Sequence, residues 1–335
     1  MDSEKLQIKP KHAWRVGVGA GLLGALVVAL KYALRPPTKR RVPDTISSAV
    51  FATKVLHTSL GQVVYHESGS GQPLVFLHNV GLGASSYEWS KVYPHFANSY
   101  RVLALDLVGF GESARPAGKF SAADYVRMLA EFLRALNWTH APILVASGLS
   151  AGFAVHLAAQ HPELAARLIL HMPTGTAELG RHTSTVLSRL LYRSPLLARF
   201  IYRNHLSTRS SMALWLRKFA FLKPELVTDE MIDVFTTCAQ QPSAEHAALS
   251  WLAGDMNFDL DARLGNLPQP VALLWGEEPM AAAGNSALSL QKTLPASTVT
   301  LLSGAGIMAA LEAPPEMIAA LEEQLRSELR VLKAG

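Results

Sequence analysis

The sequence predicts an α/β protein: a mostly parallel central sheet with helices on both faces, a helical cap set into it, and a single transmembrane helix at the N-terminus. Three observations carry this expectation. Short continuous apolar runs of buried-strand type, at residues 73–78, 101–106 and 142–147, alternate with helical segments. Residues from about 175 to 250 break that rhythm with helical segments and no convincing strand. Residues 16–30 form an uninterrupted apolar stretch.

Composition bounds the remaining possibilities. With 49% apolar and 17% charged residues among 335, the chain has enough apolar content for one large core and is not disordered. Cys238 is the single cysteine, so no intrachain disulfide is possible and nothing argues for a thiolate metal site. The net charge of +5 is concentrated at the start, where residues 1–45 hold nine Lys/Arg against three acids. The rest of the chain is close to neutral, which leaves a nucleic-acid role without support.

The apolar stretch is short for a hydrocarbon core of roughly 30 Å. It lengthens to residues 13–34 when Arg15 and Lys31 snorkel, and Trp14 and Tyr32 then mark the two interfaces. Gly17, Gly19, Gly21 and Gly24 provide a thin face suited to close helix packing. A membrane-spanning anchor is favoured over a cleaved signal peptide, since no small-x-small site precedes Arg35-Pro36-Pro37. It is also favoured over a surface helix, since the run has no polar face. Five basic residues follow the run and four precede it, which sets the body on the cytoplasmic side. Residues 1–45 are thus an anchor and basic linker. The prolines at 36, 37 and 43 keep the linker irregular.

The body begins with two β-rich runs, residues 50–57 and 62–67, joined by Thr58-Ser59-Leu60-Gly61 as a hairpin. The buried strand at 73–78, a helix over 85–97 and the strand at 101–106 follow. Residues 121–136 are amphipathic at helical spacing, with Ser121 as the cap. A strand at 142–147, a helix from 151 to 160 and a strand at 165–171 close the first part of the core, residues 46–174. After the cap at 175–250, the second part over 251–335 supplies strands near 270–275 and 298–302, with helices near 285–293 and 314–331.

Four motifs in this order resemble the α/β-hydrolase family over roughly residues 50–332. They are Leu77-His78-Asn79 with the glycine-rich Val80-Gly81-Leu82-Gly83; Asp106-Leu107-Val108-Gly109-Phe110-Gly111-Glu112-Ser113; Gly148-Leu149-Ser150-Ala151-Gly152; and Leu274-Trp275-Gly276-Glu277-Glu278-Pro279, followed later by Gly304-Ala305-Gly306. The third is a full G-x-S-x-G between a buried strand and a helix. The resemblance implies a sharp turn that presents Ser150 as nucleophile. The backbone N–H of Ala151, with that of Asn79 or Val80, would serve as oxyanion donors.

The resemblance also implies a catalytic histidine after the last strand, and here that position is Ile307. No histidine follows His246, so a small shift of alignment does not restore one. The acid position falls on proline, leaving Glu277 and Glu278 as weak acid candidates, and His171 at a strand end as a weak spare base. A serine without a base is a poor nucleophile. The sequence carries no nucleotide, metal or flavin fingerprint, so neither cofactor nor metal is expected.

The cap has its own signal. Residues 178–224 contain nine Lys/Arg and one acid, Glu178, interleaved with aromatic residues. This suggests contact with anionic lipid or an acidic protein partner, against the plainer reading of a solvated basic face. Three functions stay open: a membrane-anchored protein with a degenerate triad, inactive or non-canonical as a serine hydrolase; an active hydrolase of a hydrophobic ester using Ser150 with an atypical base; and an accessory subunit of a membrane complex.

Overall fold

In a computed structural model, residues 51–174, 194–258, 260, 267–276, 294 and 297–334 are described, with side chains up to residue 326. The expected membrane span at 13–34, the helix near 285–293, and Glu277 and Glu278 lie outside these residues. Among the described residues no helix is long and apolar enough to cross a membrane.

Eight strands form one sheet in the order β1-β2-β4-β3-β5-β6-β7-β8. β1 (Ala52–His57) and β2 (Gln62–Ser68) make the hairpin, closed by reciprocal backbone bonds between Thr58 and Gly61. β2 runs antiparallel to β4 (Arg101–Leu105), and every later pairing is parallel. β3 (Pro73–Leu77), β5 (Ile143–Ser147) and β6 (Arg167–His171) lie at the centre and are wholly buried. Burial on both faces explains why these strands read as continuous apolar runs rather than alternating ones. β7 (Val271–Gly276) and β8 (Thr298–Leu302) complete the sheet.

Alternate residues of each strand feed two cores. Leu77, Leu105, Leu144 and Leu170 pack beneath α2 (Ala122–Ala135) and α3 (Gly148–Gln160). Phe76, Ala104, Val145 and Ile169 pack on the opposite side, against Trp89, the short α1 (Tyr93–Phe96) and the C-terminal helices. Ser121 caps α2 through a reciprocal box with Asp124. The helix expected over 85–97 is broken into a single 3₁₀ turn and α1, because Pro94 interrupts the segment.

The described part of the cap is built on helices, among them α4 (Pro195–Ile201), α5 (Arg209–Trp215), α6 (Asp229–Ala239) and α7 (Glu245–Leu252). Its own core contains Met212, Leu216, Phe221, Met231, Phe235 and the buried Cys238. The cap sits hard on the sheet domain. A side chain at Gly83 would run into the backbone of Phe235, and one at Gly109 would run into Ala247. Two C-terminal helices, α8 (Ala309–Glu312) and α9 (Pro314–Ala334), close the second face.

Candidate functional site

Sheet register brings the sequence motifs together. Leu77 at the end of β3 pairs with Ala146, and Ser147 at the end of β5 pairs with His171. The loop after β3, the turn after β5 and the end of β6 therefore meet at one edge of the sheet, under the cap.

The turn after β5 differs from the expectation. The left-handed backbone conformation falls on Gly148, at φ +54°, immediately after the strand ends. Ser150 lies two residues later inside the first turn of α3, without a positive φ. It is completely buried, and its hydroxyl donates to the carbonyl of His78 at 2.5 Å. The strained position is thus occupied by the residue that tolerates it at no steric cost. Ala151, expected as an oxyanion donor, is buried one residue further along the helix, and the amide that follows the turn is that of Leu149.

The other expected donors are already engaged. Asn79 N–H donates to Glu88 Oε2 at 2.6 Å. Val80 N–H donates to Asn79 Oδ1 at 2.7 Å, and Leu149 N–H donates to the same oxygen at 3.0 Å. A Cβ at Gly148 would fall within the Asn79 carboxamide, and one at Gly152 would fall within the ring of Phe258. A side chain at Gly148 would need a positive φ as well as displacement of Asn79, and one at Gly152 would need the Phe258 ring to move.

The histidines near the turn are structural. His78 Nε2 accepts from Leu107 N–H at 3.0 Å, so Nδ1 carries the proton and donates to the carbonyl of Asn79 at 2.6 Å. Burial holds its pKa below the ordinary imidazole value. His171 is buried edge-on against Trp89, with Nδ1 3.3 Å from Ser147 Oγ. Burial pushes its pKa down to about 4, so it stays neutral at neutral pH. Its hydrogen-bond partner is Ser147, not Ser150.

Two buried carboxyl groups escaped sequence reasoning. Glu88, whose pKa burial raises to about 7 against the opposing bonds from Ser147 and Asn79, braces the loop after β3. Glu312 accepts from Gly306 N–H at 2.7 Å and from Lys223 N–H at 2.6 Å, tying the loop that contains Ile307 to the cap. An acid set among aromatic or apolar neighbours, as in Tyr87-Glu88-Trp89 and Leu311-Glu312-Ala313, was the available signal. Ile307 itself is partly buried against the main core. Asp106 accepts from Ser86 N–H and Glu112 N–H, each at 2.7 Å, and so holds its own loop. His66, Asp106 and Glu112 place candidate metal-ligand atoms within 4.8 Å of one another, with both Asp106 oxygens already bonded to backbone.

Little room is left between the glycine-rich loop and the described part of the cap. Between the glycine-rich loop, Phe110 and the cap residues Tyr202, Cys238 and Ala248, the gap holds about 10 Å³. A space of that size holds at most roughly one water. A larger cavity of about 370 Å³ opens away from the candidate residues, between α4, α7 and the Gly118-Lys119 loop.

The model of the alpha/beta hydrolase fold family matches residues 72–314. This chain belongs to that family. Among curated relatives, the 2-hydroxy-6-oxo-6-(2'-aminophenyl)hexa-2,4-dienoic acid hydrolase of Metapseudomonas resinovorans is 30% identical over 125 residues, covering 37% of this chain and 43% of the relative. The 2-hydroxymuconate semialdehyde hydrolase of Pseudomonas sp. strain CF600 is 38% identical over 114 residues, covering 33% of this chain and 40% of the relative. The chain thus spans less than half the length of these relatives. The meta-cleavage product hydrolase of Pseudomonas fluorescens IP01 shares the fold at a TM-score of 0.67, with 22% identity, 84% of this chain and 100% of that chain covered.

Proposed function

We propose that this chain is a non-hydrolytic member of the family, anchored in a membrane through residues 13–34 with its body on the cytoplasmic side. There it acts as a binding or accessory subunit through its cap. The observation that carries this reading is the state of Ser150: buried in a helix, its hydroxyl given to the His78 carbonyl, with isoleucine at the position where the family resemblance implies the base. Among the described residues, a serine in that environment has no group to take its proton. The close seating of the cap on the glycine-rich loop, where Gly83 meets the Phe235 backbone, supports the same reading. So does His171, which stays neutral and turns Nδ1 to Ser147 rather than to Ser150.

The relatives' hydrolase names favour a second reading, an active hydrolase using Ser150, for which the apolar cap suggests a hydrophobic ester as substrate. Fluorophosphonate labelling of the full chain separates the two. The non-hydrolytic reading expects no labelling of folded wild type and no change in Ser150→Ala. Labelling that disappears in Ser150→Ala would establish the hydrolase instead.

A further inference from the structure

Resting on the non-hydrolytic reading, the geometry points to Gly148 as the residue standing where this family carries its nucleophile, and to the Asn79 side chain as an internal plug in the adjoining oxyanion hole. In the family the nucleophile occupies the sharp turn between strand and helix. The hole is made by the N–H of the next residue and an N–H from the loop after the preceding parallel strand. Here β5 ends at Ser147, the positive φ falls on Gly148, and α3 follows at once. The next N–H is that of Leu149, and the loop N–H is that of Val80.

Both of these N–H groups converge on one atom, Asn79 Oδ1, at 3.0 and 2.7 Å. Two backbone amides aimed at one carbonyl oxygen are what an oxyanion hole offers a substrate. The chain supplies that oxygen itself. The rest of the carboxamide fills the space that a side chain on residue 148 would need. Asparagine at 79 and a side chain at 148 are therefore mutually exclusive.

The same register accounts for the neighbours. Residues two positions either side of a turn this sharp must be small, and around Gly148 these are Ala146 and Ser150. Ser150 is then the small residue that lets the turn close, and its hydroxyl settles on the His78 carbonyl. The pairing is favourable because it is partly withdrawn from water: an amide oxygen with two donors keeps its hydrogen bonds there, whereas two N–H groups without an acceptor would lose theirs. With Asn79 Oδ1 in place, an ester or acyl oxyanion would have to displace it to reach these two N–H groups.

A double-mutant cycle between Asn79→Gly and Gly148→Ala, read by the thermal unfolding midpoint of the full chain, tests this. The backbone cost of alanine at a positive φ is common to both backgrounds and cancels. Gly148→Ala is expected to lower the midpoint by several degrees more in wild type than in Asn79→Gly. If the single variant does not fold, recovery of folding in the double variant is the equivalent result. Equal shifts in both backgrounds, or failure to fold in both, would overturn the plug. Amide hydrogen exchange in Asn79→Gly gives an independent reading: faster exchange at Val80 and Leu149 is expected, and unchanged exchange at both would refute the contact. Neither readout contains activity. Labelling of Ser150 would therefore sink the non-hydrolytic reading alone, while the cycle decides the plug.

Discussion

At Glu88 a carboxyl group is fully buried beside the turn, and its chemistry is set by the residues around it. Burial raises its pKa from 4.5 to about 7. The native state therefore holds this proton between those values where the unfolded chain has released it, and stability falls as pH rises through that window. His171 works in the opposite direction. Its pKa is depressed from 6.5 to about 4, so its contribution to stability grows as pH rises between those values. Glu88→Gln removes only the first effect. In urea titrations the variant should gain on wild type by on the order of 2 kcal/mol between about pH 5 and pH 7.5. A pH-independent difference would show that Glu88 does not titrate in that range. Ser150→Ala removes one buried hydroxyl–carbonyl bond and should cost about 1 kcal/mol, with no change in serine-probe labelling.

At the scale of elements, two polar devices hold pieces that apolar packing alone leaves loose. The Ser121–Asp124 box fixes the start of α2 where it passes over the sheet. Ser121→Ala should lower stability by about 1 kcal/mol in chemical denaturation. Glu312 is the larger case, since α8 uses it to join the Gly304–Ile307 loop to the segment after α5. Glu312→Ala leaves two backbone N–H groups without an acceptor and should cost about 2–4 kcal/mol. The same variant should show faster amide exchange at Gly306 and Lys223, whereas Glu312→Gln should keep part of the protection. Undisturbed exchange in Glu312→Ala would mean that the cap is held elsewhere.

Across the whole molecule, the basic cap is less basic than its linear charge. Arg199 and Arg203 reach Glu245, and Arg209 reaches Asp229 and Asp233, acids that lie beyond residue 224 in the chain. Arg217 and Lys218 remain exposed, beside the exposed Leu214 and Phe219. If the cap meets anionic lipid rather than an acidic partner, these four are the residues placed to make the contact. Arg217→Glu with Lys218→Glu should weaken binding to anionic vesicles and flatten its salt dependence, without moving the unfolding midpoint. Removing residues 1–45 should release the body from neutral-lipid vesicles in high salt; a truncated chain still bound there would exclude an electrostatic contact.

The sequence by itself determined the sheet and its coverage. Strands buried on both faces must be apolar throughout, and amphipathic helices must follow them, so β3, β4, β5, β6 and β7 were each legible to within one or two residues. That residue 307 is isoleucine and that no histidine follows His246 was legible too, because a residue type cannot be hidden by folding. The identity of the turn residue was not. Ala146-Ser147-Gly148-Leu149-Ser150 and Gly148-Leu149-Ser150-Ala151-Gly152 overlap, and both set small residues two positions either side of their centres. Only the backbone path, with its positive φ at Gly148, chooses between them. The contacts of Asn79, Glu88 and Glu312 were equally out of reach, because each joins segments distant in the chain or bends a side chain back onto its own loop. Whether a polar side chain meets solvent, a neighbour or a backbone amide is settled only when strands and cap have packed.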